Sequence, residues 1–195
     1  CCKKEETKMI GVLALQGNFS SHVKVLGLLG HNSKLVKSPK DLDDIDGLII
    51  PGGESTTMTK LINRDEKFFE SIQSFSKNHP ILGTCAGLIL MSKDSFDSKV
   101  INLGIIDIES TRNAYGRQVH SFDTELSLKH VSNNDSFKAS FIRAPKISKV
   151  GKNVEVICTH NDFPVAIKDG MHVATTFHPE LKNETIIHRL CFGDK

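Results

Sequence analysis

Several familiar features are missing from this sequence, and each absence narrows the range of functions. No apolar run approaches the roughly 20 residues of a membrane-spanning helix, and no basic segment followed by an apolar one stands at the start. The net charge of +2 is spread along the chain without a long basic block. That distribution gives little reason to expect a nucleic acid or a membrane surface as a partner. We therefore expect a cytoplasmic protein that acts on small molecules or on other proteins.

The cysteines lack the patterns of a disulfide framework and of a metal site. There are five of them, irregularly spaced, with no CxxC pair and no Cys/His spacing typical of a metal site. We expect no metal and no cofactor. The 195 residues suffice for one substantial core and are few for two, so residues 9–195 are expected to form a single domain. The polar segment 1–8 is expected to be a flexible extension or a remnant of cloning.

Short apolar runs alternate with helical patterns through the first half of the chain. Strands are predicted at 10–15, 33–37, 47–50 and 81–82, with the last one breaking at Gly83, and helices at 23–30, preceded by Ser20 and Ser21, and at 56–63, 65–77 and 86–92. This order favours an α/β fold with a parallel sheet covered on both faces. Residues 102–145 contain stretches in which polar and apolar residues alternate, with turn-forming residues between them. This pattern predicts antiparallel additions to that sheet. Further strands are predicted at 154–157 and 172–177, and a closing helix at 184–192.

One thiol lies where a predicted strand turns into a helix. Gly83-Thr84-Cys85-Ala86-Gly87 matches the pattern of a nucleophile elbow with cysteine at its centre. The flanking glycines suit a turn in which the neighbouring chain comes too close for a β-carbon. The N-terminus of the following helix favours the thiolate form of Cys85. The alternative is a tight turn with an incidental cysteine. The pattern alone does not decide between the two, because a nucleophilic thiol also needs a base.

His178 is the best candidate for that base. It follows the predicted strand 172–177, so in a parallel sheet it lies at the same edge as Cys85. Glu180 is near enough to accept a hydrogen bond from the imidazole and to fix its tautomer. Alone, the segment also fits a solvated His-Pro-Glu turn. Surface or core-edge roles are expected for His22, His31, His79, His130 and His188.

Pro51-Gly52-Gly53 follows another predicted strand and opens on the same edge. The backbone N–H groups of Gly53 and Ala86 are candidates for an oxyanion hole, although a simple turn followed by a helix cap explains the segment equally well. Arg112 and Arg143 stand beside apolar strands, which suits recognition of a substrate carboxylate. A solvated strand edge is the alternative for both.

Taken together, these segments resemble the class I, or triad, glutamine amidotransferases, and within them the glutaminase subunits of pyridoxal phosphate synthases. The resemblance covers nearly the whole chain from Ile10. It is carried by LALQGNF (13–19), PGGEST (51–56), GTCAGL (83–88), RNAYGRQ (112–118), FIRAP (141–145) and FHPEL (177–181). The elbow and the His-x-Glu segment are common to class I glutaminases, and the other four are more specific.

The resemblance implies a three-layer, flavodoxin-like fold with a mostly parallel sheet and antiparallel additions. It implies that Cys85, His178 and Glu180 form a catalytic triad that hydrolyses L-glutamine through a thioester, and that ammonia passes to a (β/α)₈-barrel synthase subunit for vitamin B6 synthesis. Gln16 is implied to lie near the site and the partner interface. The residues implied to contact glutamine are Gly53, Glu54, Ser55, Arg112, Ile142 and Arg143.

Other functions remain compatible with parts of this pattern. A γ-glutamyl hydrolase or a cysteine peptidase would use the same three residue types on a larger substrate. An inactive scaffold is a further alternative, but the intact Cys85, His178 and Glu180 argue against it. A glutaminase that serves imidazole glycerol phosphate synthesis is disfavoured by RNAYGRQ and FIRAP.

Overall fold

The structure is a computed structural model that describes residues 7–112, 121–129 and 136–194. Its helices are α1 (Phe19–Leu28), α2 (Ser55–Ile62), α3 (Glu66–Ser76), α4 (Ala86–Met91) and α5 (Ile186–Phe192), with short 3₁₀ turns at Pro39–Leu42 and Pro179–Lys182. None of the helices in these ranges is long and apolar enough to cross a membrane. The helices predicted from the sequence are confirmed to within a few residues at each end.

Among the first six strands of the described residues, a helix or a 3₁₀ turn separates each strand from the next, except that the sixth follows the fifth directly. They are β1 (Met9–Leu13), β2 (Asn32–Val36), β3 (Gly47–Ile50), β4 (Ile81–Thr84), β5 (Ser92–Asp94) and β6 (Ile106–Thr111). The remaining strands are β7 (Ser121–Ser127), β8 (Ser136–Ile142), β9 (Lys146–Val150), β10 (Glu155–His160), β11 (Phe163–Asp169) and β12 (His172–Thr175). The predicted break of the fourth strand at Gly83 is wrong, because Gly83 pairs with both Ile50 and Ala174 and β4 continues to Thr84.

Within the described residues, the main sheet has seven strands in the order β10-β11-β12-β4-β3-β1-β2. Strands β12, β4, β3, β1 and β2 run parallel to one another, and β11 pairs antiparallel with both β12 and β10. Every residue of β3 and β4 is buried, as a strand covered on both faces requires. The predicted α/β fold with a mostly parallel sheet and antiparallel additions is therefore confirmed.

The antiparallel additions come from a different part of the chain than predicted. Strands β5, β6 and β9 form a separate three-stranded sheet, and β7 pairs only with β8 in a two-stranded one; residues 118–120 of the predicted strand lie outside the described residues. The edge of the main sheet is occupied by the β10–β11 hairpin, whose second strand the sequence did not predict. Its two-residue turn, Asn161-Asp162, has positive φ at both positions, as tight hairpin turns require.

Two apolar cores lie on opposite faces of the main sheet. Along β1, Ile10 and Val12 face one core and Leu13 faces the other, because successive strand residues point to opposite sides. The core that contains Leu13 is completed by residues of α2, α3 and α4, and the other core by residues of α1, α5 and β8. The protein thus has three layers, which confirms that part of the predicted fold.

The parallel arrangement brings four loops to one edge of the sheet. The loops after β1, β3, β4 and β12 all leave the carboxyl ends of neighbouring parallel strands. These loops carry Gln16, Gly53, Cys85 and His178. The fold therefore collects, at a common edge, residues that are up to 162 positions apart in the chain.

The segment before β1 is described only at its end. Residues 1–6 of the expected extension lie outside the described residues. The carbonyl oxygen of Lys8 accepts a hydrogen bond from the Asn32 amide at 3.0 Å, and its ammonium group donates to the carbonyl of Phe192 at 2.7 Å. Lys8 is therefore held against the fold.

Candidate active site

Cys85 sits at the sharp turn between β4 and α4. Its backbone has φ 51° and ψ −103°, a conformation that L-residues rarely adopt. Its amide donates a hydrogen bond to the carbonyl of Thr175 at 2.8 Å, which ties the turn to β12. A β-carbon on Gly87 would lie 2.0 Å from the carbonyl oxygen of Ile50, and one on Gly83 would lie 2.8 Å from the carbonyl carbon of Gly87. The predicted need for glycine on both sides of the cysteine is confirmed.

The thiol of Cys85 is nearly buried. The residue is 7% exposed, and its Sγ lies 3.8 Å from the carbonyl oxygen of Ile142, to which the thiol donates a weak hydrogen bond. Ile142 is the last residue of β8 and is itself 40% exposed, and it is followed by Arg143 with a positive φ of 44°. The FIRAP segment therefore forms one wall beside the sulfur, with a backbone carbonyl rather than a side chain facing it.

His178 and Glu180 form a buried pair next to this turn. Nδ1 of His178 lies 2.7 Å from Oε1 of Glu180, and the two residues are 7% and 1% exposed. The amide of His178 donates to the carbonyl of Ser140 at 2.8 Å. Pro179 starts the 3₁₀ turn that folds Glu180 back beneath the ring. The backbone thus holds the imidazole from one side and the carboxylate from the other.

The charge state of His178 is set by its two polar neighbours. Burial alone would lower its pKa, but hydrogen bonding to Cys85 and to the Glu180 carboxylate raises the pKa to about 10. Burial likewise opposes ionisation of Glu180, yet the nearby His22 and the hydrogen bond to His178 lower the pKa of Glu180. The arrangement favours a protonated imidazole beside an ionised carboxylate at neutral pH.

The loop after β3 is held by the loop after β1. The carbonyl of Gly52 accepts a hydrogen bond from the amide of Asn18 at 3.1 Å, and Oε1 of Gln16 accepts one from the amide of Glu54 at 2.8 Å. Gly53 lies between these two contacts and is exposed, whereas Ala86, the first residue of α4, is buried. Their predicted role as an oxyanion hole stays a prediction.

Arg112 lies beside the same loop and is already paired. Its Nη2 is 2.9 Å from Oε1 of Glu54, and its Nη1 is 2.7 Å from Oδ2 of Asp97. Burial works against ionisation of Glu54, but hydrogen bonds from Thr56 and Thr57 lower its pKa to about 2. Glu54 is therefore an anion that caps α2 and orients Arg112.

The other residues predicted to contact a substrate differ in their exposure. Ser55 is only 2% exposed, and its hydroxyl has no hydrogen-bond partner among the described residues. Arg143 is exposed. The rest of the RNAYGRQ motif, residues 113–118, lies outside the described residues.

Two histidines that belong to this site were misassigned from the sequence. His22 and His188 were expected at the surface or the core edge, but both are completely buried. Nε2 of His22 lies 3.5 Å from Oε1 of Glu180, and its Nδ1 lies 2.8 Å from Nε2 of His188. The sequence did contain a signal, because His22 shares one face of α1 with Val25 and Leu26 at helical spacing.

Comparisons with known proteins agree on one family. A family model described as the SNO glutamine amidotransferase family matches residues 12–192. The pyridoxal 5'-phosphate synthase subunit PdxT of Oenococcus oeni is 47% identical over 182 residues, which cover 93% of this chain and 94% of that protein. The subunit of the same name from Thermotoga maritima is 46% identical over 183 residues, which cover 92% and 95%.

Solved structures agree with this result. A crystal structure described as a glutamine amidotransferase superposes with a TM-score of 0.86 at 37% identity and covers 92% of this chain and 95% of its own. The structure of PurLQS from Thermotoga maritima superposes with a TM-score of 0.66 at 14% identity, over 95% of this chain and 96% of that one. The second likeness shows the fold alone.

Proposed function

The chain belongs to the SNO glutamine amidotransferase family and is a glutaminase that supplies ammonia for pyridoxal 5'-phosphate synthesis, and we propose that Cys85, His178 and Glu180 carry out the hydrolysis. The observation that supports this assignment is the convergence of the three side chains. The imidazole is hydrogen-bonded to the carboxylate at 2.7 Å, and the elbow thiol lies near enough to help raise the pKa of the ring. We further propose that residues 9–195 act as one glutaminase domain.

The first half of the reaction forms a thioester. The sulfur of Cys85 attacks the side-chain amide carbon of L-glutamine, and the carbonyl electron pair moves onto oxygen. His178 holds a proton at neutral pH because its pKa is raised, so it can protonate the amide nitrogen as the C–N bond breaks. Ammonia leaves, and the acyl group stays on Cys85.

The second half releases glutamate. Having given up its proton, His178 accepts one from a water molecule as that water attacks the thioester carbon. The C–S bond breaks, glutamate leaves, and the sulfur and imidazole regain their starting protonation. Glu180 keeps the ring in one orientation through both halves, because its carboxylate is buried and remains ionised.

Two backbone amides are proposed to hold the oxyanion. Ala86 follows the nucleophile directly, and Gly53 lies on the neighbouring loop after β3. Each donor of this kind typically contributes about 3 kcal/mol to stabilisation of the transition state. The contact of Asn18 with the Gly52 carbonyl fixes the orientation of the peptide that carries the Gly53 amide.

The proposed glutamine pocket uses the charges around α2. Two of the five N–H donors of Arg112 bind Glu54 and Asp97, so the others remain for the substrate carboxylate. Glu54 stays ionised and suits the substrate ammonium group. The buried hydroxyl of Ser55, which has no hydrogen-bond partner among the described residues, is a further proposed contact, as are Ile142 and Arg143 beside the sulfur.

We propose a (β/α)₈-barrel synthase subunit as the partner that receives the ammonia. Ammonia is lost to protonation in bulk water, so a glutaminase that feeds a synthesis benefits from direct transfer. The relatives are named as subunits of a pyridoxal 5'-phosphate synthase, which supports such a partner. A cytoplasmic location and the absence of nucleic-acid and membrane partners, expected from the sequence, stay predictions.

The decisive experiment separates ammonia release from ammonia use. In complex with the synthase subunit, Cys85→Ala should release no glutamate from glutamine, yet the complex should form pyridoxal 5'-phosphate when ammonium chloride is added. Cys158→Ala is the matched control, since Cys158 is buried away from the elbow and should leave both activities intact. Glutamate release by Cys85→Ala at the wild-type rate would contradict the assigned nucleophile.

A further inference from the structure

The proposed reaction uses one histidine, His178, but two further histidines are buried nearby. His22 on α1 and His188 on α5 are both 0% exposed and touch each other, with ring centroids 5.1 Å apart. Burying two imidazoles away from water is costly unless their nitrogens find partners. Three of the four nitrogens have them.

The protons in this cluster have one consistent arrangement. Burial lowers the pKa of His22 and, more strongly, that of His188, which favours the neutral form of both rings. A neutral ring carries one N–H, and the nitrogen of His22 that faces the Glu180 carboxylate at 3.5 Å must be the protonated one, since a lone pair there would face a buried anion.

The positions of the other protons in the cluster follow from this assignment. With its proton on Nε2, His22 can only accept at Nδ1, so the hydrogen bond of 2.8 Å is donated by Nε2 of His188. The remaining nitrogen of His188, Nδ1, is then an unprotonated acceptor. It has no hydrogen-bond partner among the described residues, which leaves a lone pair rather than an N–H group unsatisfied.

His22 contacts the elbow as well as the carboxylate. Its Nε2 lies 3.2 Å from Oγ1 of Thr84, the fully buried residue directly before Cys85. On the other side, the carboxylate is approached by both rings at a single oxygen, Oε1, whereas Oε2 has no hydrogen-bond partner among the described residues. One imidazole therefore links the turn that carries the sulfur to the group that orients His178.

We propose that His22 is a positioning residue of the triad, which holds Glu180 and Thr84 in place in an Nε2-protonated tautomer that the hydrogen bond from His188 supports. The proposal rests on the proposed function. Removal of the His22 ring would leave the carboxylate with His178 as its one remaining imidazole contact, so both Glu180 and His178 could shift. Displacements of about 1 Å in such an arrangement can cost on the order of 100-fold in rate.

The first test uses the complex with the synthase subunit and follows glutamate release. His22→Leu should lower kcat by roughly 10- to 100-fold and change KM by less than about 2-fold, because His22 touches triad-supporting groups rather than the proposed glutamine pocket. His22→Gln places an amide N–H near the position of Nε2 and should recover most of the loss. His31→Leu is the control, since His31 is also buried but bonds the carbonyl of Gly193 instead.

The second test reads the protons directly and needs no variant. Nitrogen-15 NMR of the histidine side chains should show neutral, Nε2-protonated rings for His22 and His188 in the wild-type protein. An Nδ1-protonated His22 would overturn the proposal, as would a His22→Leu variant with the kcat of His31→Leu. If His22→Leu fails to fold, the kcat of His22→Gln and the tautomers decide.

The proposed nucleophile and the proposed role of His22 are refuted by different results. Persistent glutamate release by Cys85→Ala would remove the proposed nucleophile whatever His22 does. If Cys85→Ala is inactive and His22→Leu is fully active, the triad stands and only the role of His22 is refuted.

Discussion

Gly52 packs directly against the imidazole of His178. A β-carbon built on Gly52 would lie 2.2 Å from Cε1 of the ring, well inside the closest approach of two carbon atoms. The imidazole itself is held in place by the Glu180 carboxylate and by the strand β8. The loop after β3 therefore has no room for a side chain at this point, and the residue is glycine because of the neighbouring imidazole rather than because of its own turn.

This relationship predicts a large kinetic effect of a single methyl group. Gly52→Ala should displace the ring of His178 and lower kcat by about 100-fold or more, as misplacement of a catalytic group by about 1 Å does. Steady-state glutamate release in the presence of the synthase subunit measures the effect. Gly27→Ala is the matched control, since a β-carbon there meets nothing within 4 Å. It lies in helix α1 and should raise stability by about 0.5–1 kcal/mol without loss of activity.

The charge of His178 predicts a pH dependence. Because its pKa is raised to about 10, the ring keeps its proton at neutral pH and loses it only as the pH rises through that value. In the proposed mechanism the proton needed by the leaving ammonia is then gone, so kcat/KM should fall on the alkaline side. Histidine NMR titration checks the pKa itself. In Cys85→Ala the pKa of His178 should drop, because a partner that favours the charged ring is removed; an unchanged value would contradict the thiol–imidazole contact.

Replacement of the carboxylate tests its role as an orienter. Glu180→Gln keeps the shape of the side chain but removes the charge that favours the imidazolium, and its amide can present N–H groups to the ring. We expect kcat to fall by up to roughly 10⁴-fold, the effect of the equivalent neutral replacement in a serine triad. The KM for glutamine should change little, since Glu180 is buried behind His178. Glu184→Gln is a nearby control, and a similar loss there would argue against a specific role for Glu180.

The ion pairs of Arg112 predict a binding effect rather than a catalytic one. Asp97→Asn removes one of the two carboxylates that orient the guanidinium group, while the pair with Glu54 remains. We expect KM for glutamine to rise by about 2- to 5-fold with kcat nearly constant, as fits the loss of a partly exposed ion pair. Asp194→Asn removes a comparable exposed pair with Arg189 and should leave KM unchanged. A fall in kcat for Asp97→Asn would place Arg112 closer to the chemistry than we propose.

Local patterns accounted for the elements that depend on nearby residues. Strand β3 was predicted at its observed bounds because an apolar run ends there at Pro51 and two glycines. The elbow was predicted because its glycine-x-cysteine-x-glycine pattern is local, although Gly87 is required by a contact with Ile50 of the neighbouring strand β3. The pairing of β7 with β8, and its separation from the main sheet, was not predictable in this way. It depends on which sheet edge is already filled, and that edge is filled by the β10–β11 hairpin, whose second strand was not predicted.

The sequence by itself determined the chemistry of the site: a thiol in a strained turn, an imidazole after a strand and a carboxylate two residues later. Those features can be predicted from residue type and short-range spacing, because local sterics and hydrogen bonding determine them. Only the tertiary structure decided which buried groups surround them. His22 and His188 come from two helices 166 positions apart, and packing of both helices on the same face of the sheet brings their rings together behind Glu180. Helical periodicity marks the inward face of α1, but it does not specify which polar group the facing element presents there.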